Sequence, residues 1–267
     1  MATYEIGTCG YTGYDPGADW QEAYESKLQA YAADFPAVEL NQPFYELPQV
    51  STAERWRREA TGGDADFTVA LKAWQAITHP SRSPTWNSHR DAEPEGTKGY
   101  FRPTETVFEA WAATKARAEA LEADVVLLQT PAGFDDTEEH AENLRTFIDE
   151  IGRDGLTLAW EPRGDWKANL DTVADLCAEL DLAHVTDLGR RFPVSTGRDV
   201  AYVRFHGLND DPYDYDYDYS DAELDDLAAR VETLGEEYET VYAMFNNYAK
   251  FDNAQGLRER LDAAAGE

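Results

Sequence analysis

Cysteine is nearly absent from this chain: two in 267 residues, Cys9 and Cys177, with no CxxC spacing. That excludes a disulfide framework and a cysteine-bound zinc site. One lies in a strand-like run and the other in a helical pattern, which reads as two buried thiols in a reducing compartment. Long apolar runs are absent too. None approaches the roughly 20 residues that cross a bilayer, and the opening MATYEIGTCGY has neither a basic nor an apolar leader. A cytoplasmic protein with no membrane partner is expected. GxSxG, GxGxxG, a P-loop and any histidine cluster are also missing. The usual signals of a serine hydrolase, a dinucleotide site or a nucleoside-triphosphate site are therefore not there.

Positive charge is the other shortage. Lysine occurs six times, and Lys plus Arg total 23 against 53 acids, for a formal net charge of −30. Such a body repels polyanions, which disfavours non-specific nucleic-acid binding. The acids are spread along the whole chain rather than gathered in a tail. This favours a solvated acidic surface of halophilic type, screened by a salt-rich cytoplasm, over a cationic partner. The 42% hydrophobic content excludes wholesale disorder.

What is present is a succession of eight short apolar runs: EIGTCGY, AVELNQPFY, FTVALKA, VVLLQTP, LTLAWEPR, AHVTDL, VAYVRFHG and TVYAMFNNY. Segments of helical period lie between them, at residues 19–34, 51–60, 104–122, 137–152, 168–182, 220–234 and 252–265; only the sixth run has no clear helix after it. Ser51 with Glu54, and Ser220 with Glu223, have capping-box spacing. Alternation of strand and helix argues for a parallel sheet. Eight strands in a chain of this length argue for a single-domain α/β fold, a (β/α)8 TIM barrel spanning residues 1–267.

Nearly every run carries a polar residue near its C-terminal end, and in a barrel that end is the rim where active sites are built. Residues two apart on a strand share a face. Glu39 with Asn41, Glu161 with Arg163, and Arg204 with His206 therefore point one way, while Val38, Leu40, Val69, Leu71, Leu158, Trp160, Val203 and Phe205 form the apolar face that helices must cover. The candidate catalytic residues are Glu161, His206 and Lys72. The candidate substrate-binding residues are Glu39, Asn41, Gln129, Arg163, Asp187, Arg204 and Asn246. Lys72, Arg163 and Arg204 suit an anion, the arginines through bidentate forks, and Glu161 and His206 suit proton transfer. A small anionic ligand, carboxylated or phosphorylated, is the expected partner, with Tyr11, Trp74 and Trp166 as a possible stacking wall. A structural alternative is a barrel end stapled by ion pairs.

No cofactor follows from these residues. Glu39, Glu161, Asp187 and His206 could instead hold a divalent metal, although the neighbouring Lys and Arg count against one. Two segments stand apart. Residues 79–103 form a long Pro- and Ser-rich stretch after the third run, expected to contact substrate or act as a lid. Residues 213–220 (YDYDYDYS) read as a polar lead-in to a helix, since no acid spacing there matches a calcium loop.

The motifs IGTCGY, VELNQPFYELP, ALKAWQAITHP, LLQTPAGF, AWEPRGDW, YVRFHG and YAMFNNY follow one another over nearly the whole chain. In that order they resemble the YecE-like proteins, a family of unknown function with a TIM-barrel fold. The resemblance implies a barrel with a shared rim site and leaves the activity open: an acid-base enzyme, a metal-dependent isomerase-like or nuclease-like enzyme, or a metabolite-binding protein.

The charge generates a first prediction. Repulsion among acids grows as salt is withdrawn, because the Debye length lengthens to about 30 Å at 0.01 M. The melting midpoint should climb as KCl is raised from tens of millimolar to molar. A midpoint indifferent to KCl would remove the halophilic reading.

Overall fold

The computed structural model describes residues 2–62, 66–86, 96–211 and 214–265. Its eight parallel strands are β1 (Thr3–Cys9), β2 (Ala37–Leu40), β3 (Thr68–Lys72), β4 (Val125–Gln129), β5 (Thr157–Glu161), β6 (Ala183–Asp187), β7 (Val200–Phe205) and β8 (Thr240–Phe245). They pair in chain order and close with β8 against β1. Each strand is apolar on both sides because each side is covered. Ile6, Val38, Val69, Val126, Leu158, Val203 and Val241 face outward into one large core with the helices, while Ala37, Ala70, Val125, Leu127, Ala159, Ala183, Tyr202, Tyr242 and Met244 fill the barrel. Alanines on β2, β3, β5 and β6 leave room for two stacked tyrosines, Tyr202 and Tyr242, with ring centroids 5.8 Å apart.

The helices are α1 (Trp20–Ala23), α2 (Lys27–Asp34), α3 (Gln42–Tyr45), α4 (Val50–Thr61), α5 (Gln75–Thr78), α6 (Glu105–Leu121), α7 (Glu138–Glu150), α8 (Leu170–Glu179), α9 (Asp221–Gly235) and α10 (Lys250–Ala265). Helix α9 opens with the expected capping box of Ser220 and Glu223, and the β6–β7 connection has no helix, as its sequence suggests. Two expectations are corrected. The 19–34 segment is two helices, because Tyr24 is extended and Ser26 caps a second start by accepting from the Gln29 amide. Ser51 caps nothing: Gln49 is the N-cap, and its carbonyl receives the Thr52 and Ala53 amides, which places Ser51 inside the first turn. Residues 214–220 lead directly into α9, as expected, with Tyr215 and Tyr217 half-buried, Tyr219 buried and the aspartates exposed; Tyr213 lies outside the described residues.

Cys9 and Cys177 are both buried free thiols. No helix among the described residues is long and apolar enough to cross a membrane. The barrel tolerates no side chain at Gly7, where a Cβ would stand 2.0 Å from the Ala37 carbonyl oxygen. Gly7→Ala should therefore destabilise by about 3 kcal/mol or more, the top of the overpacking range, since the atom met is backbone. A urea midpoint equal to wild type would show that β1 and β2 can part at no cost.

Candidate functional site

The C-terminal ends of β2, β3, β4, β5 and β7 are joined by one chain of polar contacts. Lys72 Nζ donates to Gln129 Oε1 at 2.8 Å, and Gln129 Nε2 donates to Glu161 Oε2 at 2.8 Å. Arg204 Nη1 donates to the same oxygen at 2.6 Å, and its Nη2 to Glu39 Oε1 at 2.9 Å. Tyr202 closes the run, its hydroxyl donating to Glu39 Oε2 at 2.8 Å. Arg163 reaches back to Glu161 Oε1 at 3.2 Å. Inward parity on five strands produces this layer: each side chain is the last, or nearly the last, inward residue of its strand. Glu39 and Arg204 are 0% and 1% exposed, so their pairing is a fully desolvated one, offset by the second carboxylate on Arg204 and the Tyr202 hydroxyl on Glu39.

The charges set the protonation states. Burial alone would raise the Glu161 carboxyl, but the charges of Arg204 and Arg163, with the Gln129 hydrogen bond, hold it well below the usual range. Burial and the Arg204 charge lower the Lys72 amine from 10.5 to about 7. Burial also lowers the His206 imidazole, against the pull of its bond to Asp187. Its Nδ1 lies 3.3 Å from Asp187 Oδ2, and its Nε2 is buried without a partner.

Above the layer opens a cavity of about 640 Å³. It collects six of the ten expected site residues: Asn41, Lys72, Gln129, Arg163, Arg204 and Asn246. Glu161, Asp187 and His206 line a smaller neighbouring cavity of about 70 Å³, which shares Arg163 with the larger one. Glu39 reaches neither cavity and lies beneath the floor. Asp187 is occupied with the chain's own turn, accepting the Gly189 amide at 3.0 Å and the His206 amide at 3.3 Å.

The aromatic wall is a correction. Trp166 is buried against Phe134 and Trp160 in the helix layer, and its indole donates to the Phe134 carbonyl. Trp74 packs on Trp86, and Tyr11 on Tyr31. The wall is instead Phe44 and Tyr45 from α3, Tyr215 from the Tyr-Asp strip, and Tyr248 and Phe251 after β8. Lys250, another lining residue that strand parity misses, donates to the Cys9 carbonyl at 2.6 Å. Its signal in the sequence is the scarcity of lysine. Of the long 79–103 segment, residues 87–95 lie outside the described residues; of the remainder, His79 and Thr85 reach the cavity, so the segment contributes to the wall.

The donors do not suit a divalent ion. A metal between Glu39 and Glu161 would need the space that the Arg204 guanidinium fills, and among the described residues no three His, Cys, Asp or Glu converge as ligands.

Comparison with known proteins agrees with the architecture. The family model described as "Protein of unknown function DUF72" matches residues 5–267, and the chain belongs to that family. The UPF0759 protein YunF of Bacillus subtilis (strain 168) is 25% identical over 96% of this chain and 93% of its own length. A DUF72 family protein from Enterococcus faecalis V583 superposes with a TM-score of 0.72 at 20% identity, covering 97% of this chain and 96% of that one. One from Thermotoga maritima MSB8 gives 0.70 at 20% identity, covering 97% and 99%. Barrels of xylose isomerase-like and endonuclease IV type share the fold at TM-scores of 0.58 and 0.52; at 13% and 12% identity this likeness is one of fold alone.

The buried amine has a measurable cost. Its folded pKa, about 7, lies below the unfolded 10.5. Between these values the unfolded chain holds a proton on Lys72 that the folded one lacks, so stability rises with pH across that window and the penalty is complete below it. Lys72→Met should flatten this rise by about one proton, or about 1.4 kcal/mol per pH unit. Urea unfolding of both proteins at several pH values across the window is the check; identical slopes would mean that the amine stays protonated.

Proposed function

We propose that this member of the DUF72 family binds a small carboxylated or phosphorylated substrate in the rim cavity and carries out proton transfer on it. One observation carries the reading. On a chain of net charge −30, the described residues lining the largest rim cavity include Lys72, Arg163, Arg204 and Lys250 and no carboxylate. Arg204 is already matched by Glu39 and Glu161, and Arg163 by Glu161. Lys72 and Lys250 donate to carbonyl oxygens and not to carboxylates, so an entering anion meets two amines that no ion pair occupies, beside the Arg163 guanidinium. Such focusing raises the local concentration of anions despite the acidic body.

The chemistry follows from the protonation states. His206, kept neutral by burial and oriented by Asp187, is a base with one free ring nitrogen. Lys72 is a second group near neutrality. Glu161 is expected from sequence as a proton carrier, but a carboxylate held ionised by two arginines is better suited to anchoring them. Asn41, whose buried Oδ1 has no partner, Gln129 and Asn246 offer amides for a substrate's hydroxyl groups, and Phe44, Tyr45 and Tyr248 offer apolar faces.

The test compares phosphate with chloride at matched ionic strength in thermal melts of wild type, Arg163→Ala and Lys250→Met. A specific anion at 100 times its Kd stabilises by about 2.7 kcal/mol. Phosphate should raise the wild-type midpoint above the chloride value, and each substitution should shrink the difference. Equal shifts with both anions would overturn the reading. A phosphate effect without turnover of any carboxylated or phosphorylated compound would leave a metabolite-binding protein.

A further inference from the structure

We propose that the Lys72 amine is a nucleophile that forms an imine with the carbonyl carbon of an anionic aldehyde or ketone held in the rim cavity. This rests on the cavity reading above for the anion, and adds a covalent step and a substrate class to it.

Lys72 differs from the arginines of the floor in its lack of a carboxylate partner, and from Lys250, which shares that lack, in being buried on a strand end under an aromatic ring. Arg204 has two carboxylates and Arg163 has one, all within ion-pair distance. Lys72, on the same floor, donates only to the neutral carbonyl of Gln129 at 2.8 Å. Gln129 is itself held, since its amide nitrogen donates to Glu161, so the amine is fixed at the end of β3 and not swept through solvent. The Phe44 ring covers one side, 4.0 Å from Nζ, and the open side is the cavity. A ring face by itself favours the charged ammonium slightly. Burial and the Arg204 and Arg163 charges oppose it more strongly, while Glu39 and Glu161, which would restore the proton, are committed to the guanidinium groups. Desolvation beside another cation is the usual way in which a lysine becomes nucleophilic near neutral pH.

The step balances without a cofactor. The nitrogen lone pair forms the C–N bond while the carbonyl π pair moves to oxygen, giving a carbinolamine after one proton passes from nitrogen to oxygen. The C–O bond then breaks, and the oxygen leaves as water with the second amine proton. The product is a neutral imine, and its protonation gives an iminium that makes the adjacent C–H acidic. That acidity would give a proton to a base reaching the substrate, His206 of the adjoining smaller cavity being the candidate. The anionic group of the substrate would lie toward Lys250 and Arg163, which line the same cavity.

Glycolaldehyde phosphate with sodium cyanoborohydride at neutral pH traps such an imine as a stable secondary amine, and peptide mass mapping reads the adduct at each of the six lysines. Lys72 should be labelled roughly tenfold or more above exposed lysines, whose amines are almost wholly protonated at that pH. Inorganic phosphate should slow the labelling, and Lys72→Arg, checked for folding by its melt, should lose that adduct alone. Label spread over other lysines with Lys72 unmodified in folded wild type would overturn the proposal. If phosphate stabilises the protein and Lys72 stays unlabelled, the imine falls and the anion site stands. If Lys72 is labelled equally by neutral glycolaldehyde and phosphate has no effect, the imine stands and the anion site falls.

Discussion

The rim depends on one guanidinium. Arg204 sits at the centre of the barrel end with Glu161 on one nitrogen and Glu39 on the other, tying β7 to β5 and β2 across the interior. Three desolvated charges of this kind are no cheap source of stability, since apolar filling of equal volume often does as well. Removing one of them is another matter: an uncompensated buried charge costs about 3–5 kcal/mol. The layer is therefore all-or-nothing, and its survival fixes the positions of Gln129, Arg163 and Tyr202, which all bond to its carboxylates.

The character of the cavity follows from that arrangement. Because both glutamates point their oxygens at arginines, neither is left to balance Lys72, and the floor presents cations upward while its anions lie beneath or to one side. The same amino acids paired differently, Lys72 with Glu161 for instance, would give a neutral floor and an ordinary ammonium. The pairing rather than the composition makes the site. It also explains how a strongly acidic chain keeps an electropositive interior: the repulsion is spread over a solvated surface, where salt screens it, whereas the buried charges are screened much less.

The sequence made the barrel legible because its two periods are strong and separate. Period two on the strands placed Val38, Leu71, Leu158 and Val203 outward and Glu39, Lys72, Glu161 and Arg204 inward, and the structure keeps that division. Parity names a face and no partner, so it could not tell whether Arg204 would meet a ligand or two glutamates. It is also silent beyond the strand ends. Phe44 and Tyr45 ride on a four-residue helix too short to show a period, and Lys250 and Phe251 begin α10. The Tyr-Asp strip had a period of two in plain view, but a linker with one covered face looks the same as a fully solvated one until something is known to lie under it. Trp166 misled for the opposite reason: the 3-10 turn at Gly164–Ala168, just after β5, is enough to carry a side chain from the rim to the helix layer.

Several groups at this rim are poorly served by the fold itself. Asn41 Oδ1, His206 Nε2 and Arg204 Nε are buried without partners, and Lys72 is driven toward its neutral form. A protein selected for stability alone would replace most of them with apolar residues, as it has done one turn lower, where alanine, valine, leucine and methionine fill the barrel. Unsatisfied polar atoms cost free energy wherever they are buried; Asn41, Arg204, His206 and Asn247 carry such atoms at the end of the barrel where the strands open, while Glu5, Trp160 and Arg198 carry others away from it. Under the reading proposed above, a ligand in the cavity would give Asn41 the partner that the fold does not, whereas an ion-pair staple alone would have no use for a lysine without a carboxylate.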